Sequence, residues 1–147
     1  MKTLKLNKLP KIIFIGILGM LIIFTFNSCS KKITFLNSAV VPAAEGIVKV
    51  KKDNNNNYLI QIHLSNLSEV ERLQPPQNAY VVWMVTSEEG TINIGQIDSG
   101  KTTLSNKLKA SFKTVSSFQP YKIFITAEEN ANAQYPGMQV VLTTDVF

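Results

Sequence analysis

The chain has 147 residues, a single cysteine, a single histidine and a formal net charge of +5. One cysteine excludes an internal disulfide framework, and one histidine does not by itself supply a zinc or copper ligand set. Four of the fifteen basic residues (Lys2, Lys5, Lys8 and Lys11) lie in the first eleven positions. From Cys29 onward eleven basic residues meet ten acidic ones, a net +1 that gives no argument for a nucleic-acid partner.

Those four lysines precede an apolar run from Ile12 to Phe26, then Asn27-Ser28 and Cys29. A basic n-region, an apolar h-region and a small-residue site are the parts of an export signal, and such a segment is excluded from the fold. The run is shorter than the ~20 residues that span a bilayer comfortably. A signal peptide over 1–28 is therefore expected, and a retained signal anchor is the alternative. Phe26-Asn27-Ser28-Cys29 resembles the lipobox of bacterial lipoproteins in the looser form of the Bacteroidetes, with Phe26 where leucine is usual. The resemblance implies that Cys29 becomes an acylated N-terminus and ties the protein to a membrane, which takes more than one acyl chain to be stable. Ser30-Lys31-Lys32 lacks the acidic run that marks surface export in such lipoproteins, so a periplasm-facing position is expected.

From Ser30 to about Leu36 a short tether (29–36 with the cysteine) merges into the first strand, ahead of a single domain over 37–147. Gly46 to Lys52 alternates, with Val48 and Val50 on one face and Lys49 and Lys51 on the other, a solvated strand face. Asp53-Asn54-Asn55-Asn56-Asn57 is a hairpin tip, because Asp and Asn tolerate left-handed conformations and bond their own backbone. Tyr58 to Ser65 returns with Tyr58, Ile60, Ile62 and Leu64 inward. After Pro75-Pro76, Ala79 to Thr86 is apolar on both faces and predicts a central strand covered on both sides. Glu88-Glu89-Gly90 and Asp98-Ser99-Gly100 are turns around a strand from Thr91 to Ile97. From Thr102 to Lys113 the pattern fits helix and strand alike; strand is favoured through Phe112, with Leu104, Leu108, Ala110 and Phe112 inside, then a turn or helical turn over Val115 to Phe118. Tyr121 to Ala127, the Pro136-Gly137 turn and Gln139 to Thr144 complete the domain. Seven or eight short strands with brief connections predict an all-β, immunoglobulin-like antiparallel sandwich rather than a parallel α/β sheet.

The stretch from Pro75 to the C-terminus resembles the extracytoplasmic C-terminal domain of anti-sigma-K-type factors. Pro75-Pro76 before Ala79-Tyr80-Val81-Val82-Trp83-Met84 follows that family's proline and "YxxW" strand. Gly90 and Ile94-Gly95-Gln96-Ile97, Ile125-Thr126-Ala127-Glu128, and Pro136 with Val140-Val141-Leu142 follow its later strands. The resemblance implies a shared sandwich module with a sensing or scaffolding role. It implies no sigma-factor binding, since Met1 to Lys11 is too short for a sigma-binding domain, and no functional residue carries over.

Candidate chemistry is sparse. Gly95 to Thr102 satisfies G-x-x-x-x-G-K-[ST], the phosphate-cradling loop in which Lys101 would meet the terminal phosphates and Thr102 a Mg²⁺ ion. That chemistry also needs a buried strand before and a helix after, with a βαβ series around it, and a hairpin turn explains the same residues. His63 alternates outward as a surface residue. Glu88-Glu89 and Glu128-Glu129 are paired carboxylates of the kind that share acid/base work, but both pairs adjoin turns and are read as solvated. Trp83 and Tyr80 belong to the core of a central strand, and Asn66-Leu67-Ser68 matches a glycosylation sequon without weight in a bacterial protein. The chain is accordingly read as a non-enzymatic, lipid-anchored envelope protein with no cofactor or metal. It would bind or scaffold an unidentified envelope protein. The alternatives are a small-ligand or sugar-binding module using loop aromatics such as Tyr58 or Tyr135, and a nucleotide-binding enzyme through Gly95 to Thr102.

Overall fold

The computed structural model describes residues 30–97 and 109–147. They form eight strands: β1 (Lys31–Thr34), β2 (Glu45–Lys52), β3 (Tyr58–Ser65), β4 (Ala79–Thr86), β5 (Gly90–Ile97), β6 (Lys109–Ser116), β7 (Lys122–Glu128) and β8 (Val140–Thr143), with one 3-10 turn at Val70–Arg72. Two four-stranded sheets result, in the orders β1-β2-β3-β6 and β5-β4-β7-β8. Every strand pair is antiparallel. The chain changes sheet between β3 and β4, between β5 and β6 and between β6 and β7, and the fold is the all-β sandwich that the alternation predicts. The apolar run, Cys29 and residues 98–108 (with Lys101, Thr102, Leu104 and Leu108) lie outside the described residues.

The β2–β3 hairpin forms for the reasons legible in its sequence. Val48, Ile60, Ile62 and Leu64 are buried and their odd-numbered neighbours point outward, the two-residue period of a half-buried strand. At its tip the Asp53 carboxylate accepts the backbone N–H of Asn55 (2.8 Å) and of Asn57 (2.9 Å). Asn56 takes a left-handed φ of 64°, which asparagine tolerates better than most residues.

Between the sheets these side chains meet Tyr80, Val82 and Met84 of β4, Ile123, Ile125 and Ala127 of β7, and Leu142 of β8. Leu67, Val70 and Leu73, from the β3–β4 connection, close one end of this core. There the Tyr80 hydroxyl donates to the Ser68 carbonyl at 3.0 Å. Burial, with the Glu71 carboxylate as a smaller second cause, pushes the Tyr80 hydroxyl from 10.0 up to about 12. A raised phenol favours the protonated folded state, so its contribution is complete below pH 10 and is lost as pH rises from 10 to about 12. Tyr80→Phe is expected to cost about 1 kcal/mol at neutral pH, the net worth of one hydrogen bond. Its urea midpoint is also expected to fall less steeply than the wild-type midpoint over that alkaline window, because the wild type alone must ionise a buried phenol.

Three departures from the sequence reading have local causes. The predicted turn over Val115 to Phe118 is strand as far as Ser116, because Val115 pairs with Leu59 and Ser116 with Tyr58, extending β6 along the whole of β3. The predicted tether carries β1, which adds to β2. The chain then bridges the two sheets before returning to β2: Phe35 N–H donates to the Gly46 carbonyl of β2 (3.0 Å) and Leu36 N–H to the Thr143 carbonyl of β8 (2.8 Å). Lastly, β5 contains a bulge. Val82 faces Gly95 while Trp83 faces Asn93, so Ile94 is the extra residue. The bulge shifts the period so that Ile92, Ile94 and Ile97 all reach the core side.

The strand registers give the sandwich two distinct ends. Ser30, the 53–57 tip, the 87–89 turn, the β6–β7 connection and the C-terminus share one end, where the Lys31 ammonium sits 5.3 Å from the centre of the Phe147 ring. The 35–44, 66–78 and 129–139 connections leave from the other. The first is the near end of the sandwich and the second the far end.

Candidate functional site

β4 is apolar on both faces and Val81 and Trp83, like Val82 and Met84, are fully buried. Trp83 points away from the space between the sheets, so something else must cover it. The cover is the β7–β8 loop, which leaves the far end and folds back over the outer face of the β5-β4-β7-β8 sheet. Its attachment is polar. The Asn93 side-chain amide donates to the carbonyls of Ala131 (3.0 Å) and Ala133 (2.9 Å), while its oxygen accepts the Gly95 N–H (2.9 Å). The Asn78 amide donates to the Glu129 carbonyl at 3.0 Å.

Beneath the loop runs a buried hydrogen-bonded chain. The Trp83 indole N–H donates to the Thr126 hydroxyl at 2.7 Å. That hydroxyl donates to the Glu128 carboxylate, and the same carboxylate oxygen accepts the Gly137 N–H at 2.7 Å. Phe124 stacks alongside Trp83, with ring centres 6.3 Å apart and planes 15° from parallel. Gly137 lies so close that a Cβ there would stand 2.8 Å from Glu128 Oε2, so any side chain at this position would displace the carboxylate from its present place.

This geometry corrects the reading of Glu128-Glu129 as two solvated turn acids. Glu129 is exposed, but Glu128 is buried and serves as the clasp of the loop. Strand alternation places Glu128 on the same outer face as Thr126 and Trp83. The signal available in the sequence was the i, i+2 spacing of Thr126 and Glu128 on a strand whose partner carries an outward tryptophan. What was missing was any local indication that the following eleven residues return over that face.

Next to the clasp, on the far end, is a groove of about 640 Å³ bordered by Val40, Pro75, Gln77, Gly137, Met138 and Val140. The Gln74-Pro75 peptide in its wall is cis. Met138 is fully exposed, and Val40 and Val140 are 36% and 42% exposed, so apolar surface is concentrated at the rim. Gln139 donates through its side-chain amide to the Gln74 carbonyl (3.4 Å). Its Oε1 is the one buried side-chain polar atom among the described residues that has no hydrogen-bond partner. A buried acceptor left unpaired costs about 1–3 kcal/mol.

The other sequence candidates are dispersed. His63 is exposed, as expected, on the outer face of β3. Glu88 and Glu89 are exposed in the β4–β5 turn. Tyr58 is at the near end, its hydroxyl donating to Gln119 at 3.3 Å, whereas Tyr135 is 82% exposed on the β7–β8 loop; the two aromatics do not share a site. Of the phosphate-loop match, Gly95, Gln96 and Ile97 lie inside edge strand β5 of an antiparallel sheet, whereas a phosphate loop begins at that glycine after a strand has ended. Among the described residues no three His, Cys, Asp or Glu side chains are grouped to hold a metal ion, and no helix is long and apolar enough to cross a membrane. No known protein family, curated protein or solved structure matches the chain.

Proposed function

We propose that this chain is a lipid-anchored, non-enzymatic envelope protein whose sandwich binds another envelope protein at the far end, in the groove beside the β7–β8 loop. The observation that carries the reading is the apolar rim of exposed Met138, Val140 and Val40 around the groove. Flexible, polarizable methionine suits a protein-binding rim. The clasp of Glu128 keeps this rim in one conformation before a partner arrives, which lowers the entropy cost of binding. The signal-like segment and Cys29 supply the anchor, acylation at Cys29 being the expected modification. The resemblance of the second half to the extracytoplasmic domain of anti-sigma-K-type factors supports a sensing or scaffolding role.

One experiment addresses anchor and rim together. Palmitate is expected to label the wild type and not Cys29→Ala, and a photo-crosslinker at Met138 is expected to yield an adduct that one at Glu88, on the near end, does not. Label retained in Cys29→Ala overturns the anchor. Equal adducts at both positions, or none at Met138, overturn the binding rim. A change in Tyr135 fluorescence with oligosaccharide, in the absence of an adduct, would favour the sugar-binding alternative.

A further inference from the structure

The outer face of the β1-β2-β3-β6 sheet assembles charges that are scattered in the sequence. Val48, Ile60, Ile62 and Leu64 are buried inward, so the odd-numbered residues of β2, β3 and β6 and the even-numbered ones of β1 point out. The register sets Lys32 opposite Lys49, Lys49 opposite Gln61, and Gln61 opposite Lys113, one row across all four strands. Lys51 stands in the adjoining row with Leu59 and Val115, and Lys109 lies further along β6. Five lysines thus share a face whose strands contribute a single acid, Glu45, at the far end. Glu88 and Glu89 lie in a turn of the other sheet, Glu128 and Glu129 follow its strand β7, and Glu69 and Glu71 lie in the β3–β4 connection. The near-zero charge of the folded part therefore conceals a separation into a basic sheet face and an acidic remainder.

Two features mark this face as a binding surface. Lys32 and Lys49 are direct cross-strand neighbours, an arrangement that costs stability through like-charge repulsion. The only ion pair among the described residues, Arg72 with Glu69 at 2.8 Å, is elsewhere. In addition, Val115 is 60% exposed beside half-buried Leu59, and half-buried Ile47 neighbours Lys49 on the same face of β2, so aliphatic side chains stand among the ammonium groups. Neighbouring strands lie about 4.8 Å apart, which makes the lysines a two-dimensional array rather than a groove. A flat array of cations with aliphatic groups between them matches phospholipid headgroups over acyl chains, where a thread-like polyanion would call for a channel.

We propose that this face lies on an anionic phospholipid bilayer as a second attachment beside the N-terminal one. The inference rests on the anchoring proposed above only for the nearness of the bilayer: β1 begins at Lys31, five positions after the apolar run ends at Phe26. A tether this short holds the sheet at high effective concentration over the membrane. Juxtamembrane lysines then add attraction to anionic lipid, on the order of 1 kcal/mol for each one near the surface.

The test uses the full-length chain reconstituted in vesicles of phosphatidylcholine, with and without phosphatidylglycerol, followed by amine-reactive labelling and mass mapping. Labelling of Lys49 and Lys113 is expected to fall about tenfold in the anionic vesicles and to recover in high salt. Lys122, on the outer face of the opposite sheet, serves as the internal control and is expected to label equally in both. In Lys49→Glu/Lys113→Glu, protection of Lys32 and Lys51 is expected to disappear while Trp83 fluorescence, the check on folding, stays unchanged. Equal labelling of Lys49 and Lys113 in the two vesicle types would overturn the proposal. So would protection by soluble dextran sulfate without protection by vesicles, which would assign the face to a polyanion. If the chain fails to stay with neutral vesicles yet its lysines are protected by anionic ones, the basic face stands and the N-terminal anchor falls.

Discussion

Gly95→Val is expected to destabilise the protein by about 4 kcal/mol, a large share of the 5–15 kcal/mol that holds an ordinary domain together. Two costs add. Gly95 has a φ of +131°, a conformation that costs an L-residue about 1–3 kcal/mol. A Cβ at this position would also stand 2.9 Å from Cε2 and 3.2 Å from Cζ of Phe112, which comes from the opposite sheet. The half-buried ring packs against the core between the sheets, and such overpacking costs about 1–3 kcal/mol. Gly90→Ala provides the comparison, since its φ is +69° but nothing lies within 4 Å of its would-be Cβ; only the backbone cost is expected there. Urea unfolding of the three proteins, followed by far-UV circular dichroism, reads the difference. Equal midpoints for the two variants would show that the Phe112 contact contributes nothing.

Glu128→Ala is expected to cost about 3 kcal/mol and to free the β7–β8 loop. The substitution removes an acceptor that two donors share, the buried Thr126 Oγ1 and the half-buried Gly137 N–H. Hydrogen bonds to charged groups contribute about 1.5–3 kcal/mol each, and a donor left without its acceptor pays desolvation as well. The readout is direct because the chain has a single tryptophan, and that tryptophan lies under the loop. Its emission is expected to shift to the red and to become quenchable by acrylamide, at urea concentrations where circular dichroism still reports the sandwich. Glu128→Gln, which keeps the shape and loses the charge, is expected to fall between wild type and alanine. An emission spectrum unchanged in Glu128→Ala would mean that the loop is held by Asn93 and Asn78 alone.

Much of the architecture is legible in local pattern. The alternation of Val48, Val50, Ile60, Ile62 and Leu64 is enough to draw the β2–β3 hairpin, and Asp53 to Asn57 announces its tip. The doubly apolar Tyr80 to Met84 announces a strand covered on both faces, without saying by what. What escapes local reading depends on residues distant in the chain. Gly95 looks like the first glycine of a phosphate loop until Phe112, seventeen positions later, is seen to occupy the space of its missing side chain. Glu128 looks like a solvated acid because burial comes from a loop that leaves the sheet and returns. The basic face is invisible for the same reason: Lys32, Lys49 and Lys113 become neighbours only through the register of four strands. Periodicity specifies which way a side chain points, whereas its company is decided by pairings that no window of ten residues contains.

The route of the chain from β1 into the second sheet has a mechanical consequence. Any force transmitted through Ser30 enters the domain along β1, which runs from the near end toward the far end, antiparallel to β2. A pull directed out of the near end therefore acts along the strand axis, across hydrogen bonds that lie perpendicular to it. Such a load is shared by all the rungs together, in shear, instead of opening them one at a time as a zipper. It then passes through the Phe35 and Leu36 bonds to Gly46 and Thr143, dividing the tension between both sheets. The first strand thus behaves as a rivet: a segment of four residues that would be weak if peeled becomes a firm mooring when the pull comes from the side where the chain enters.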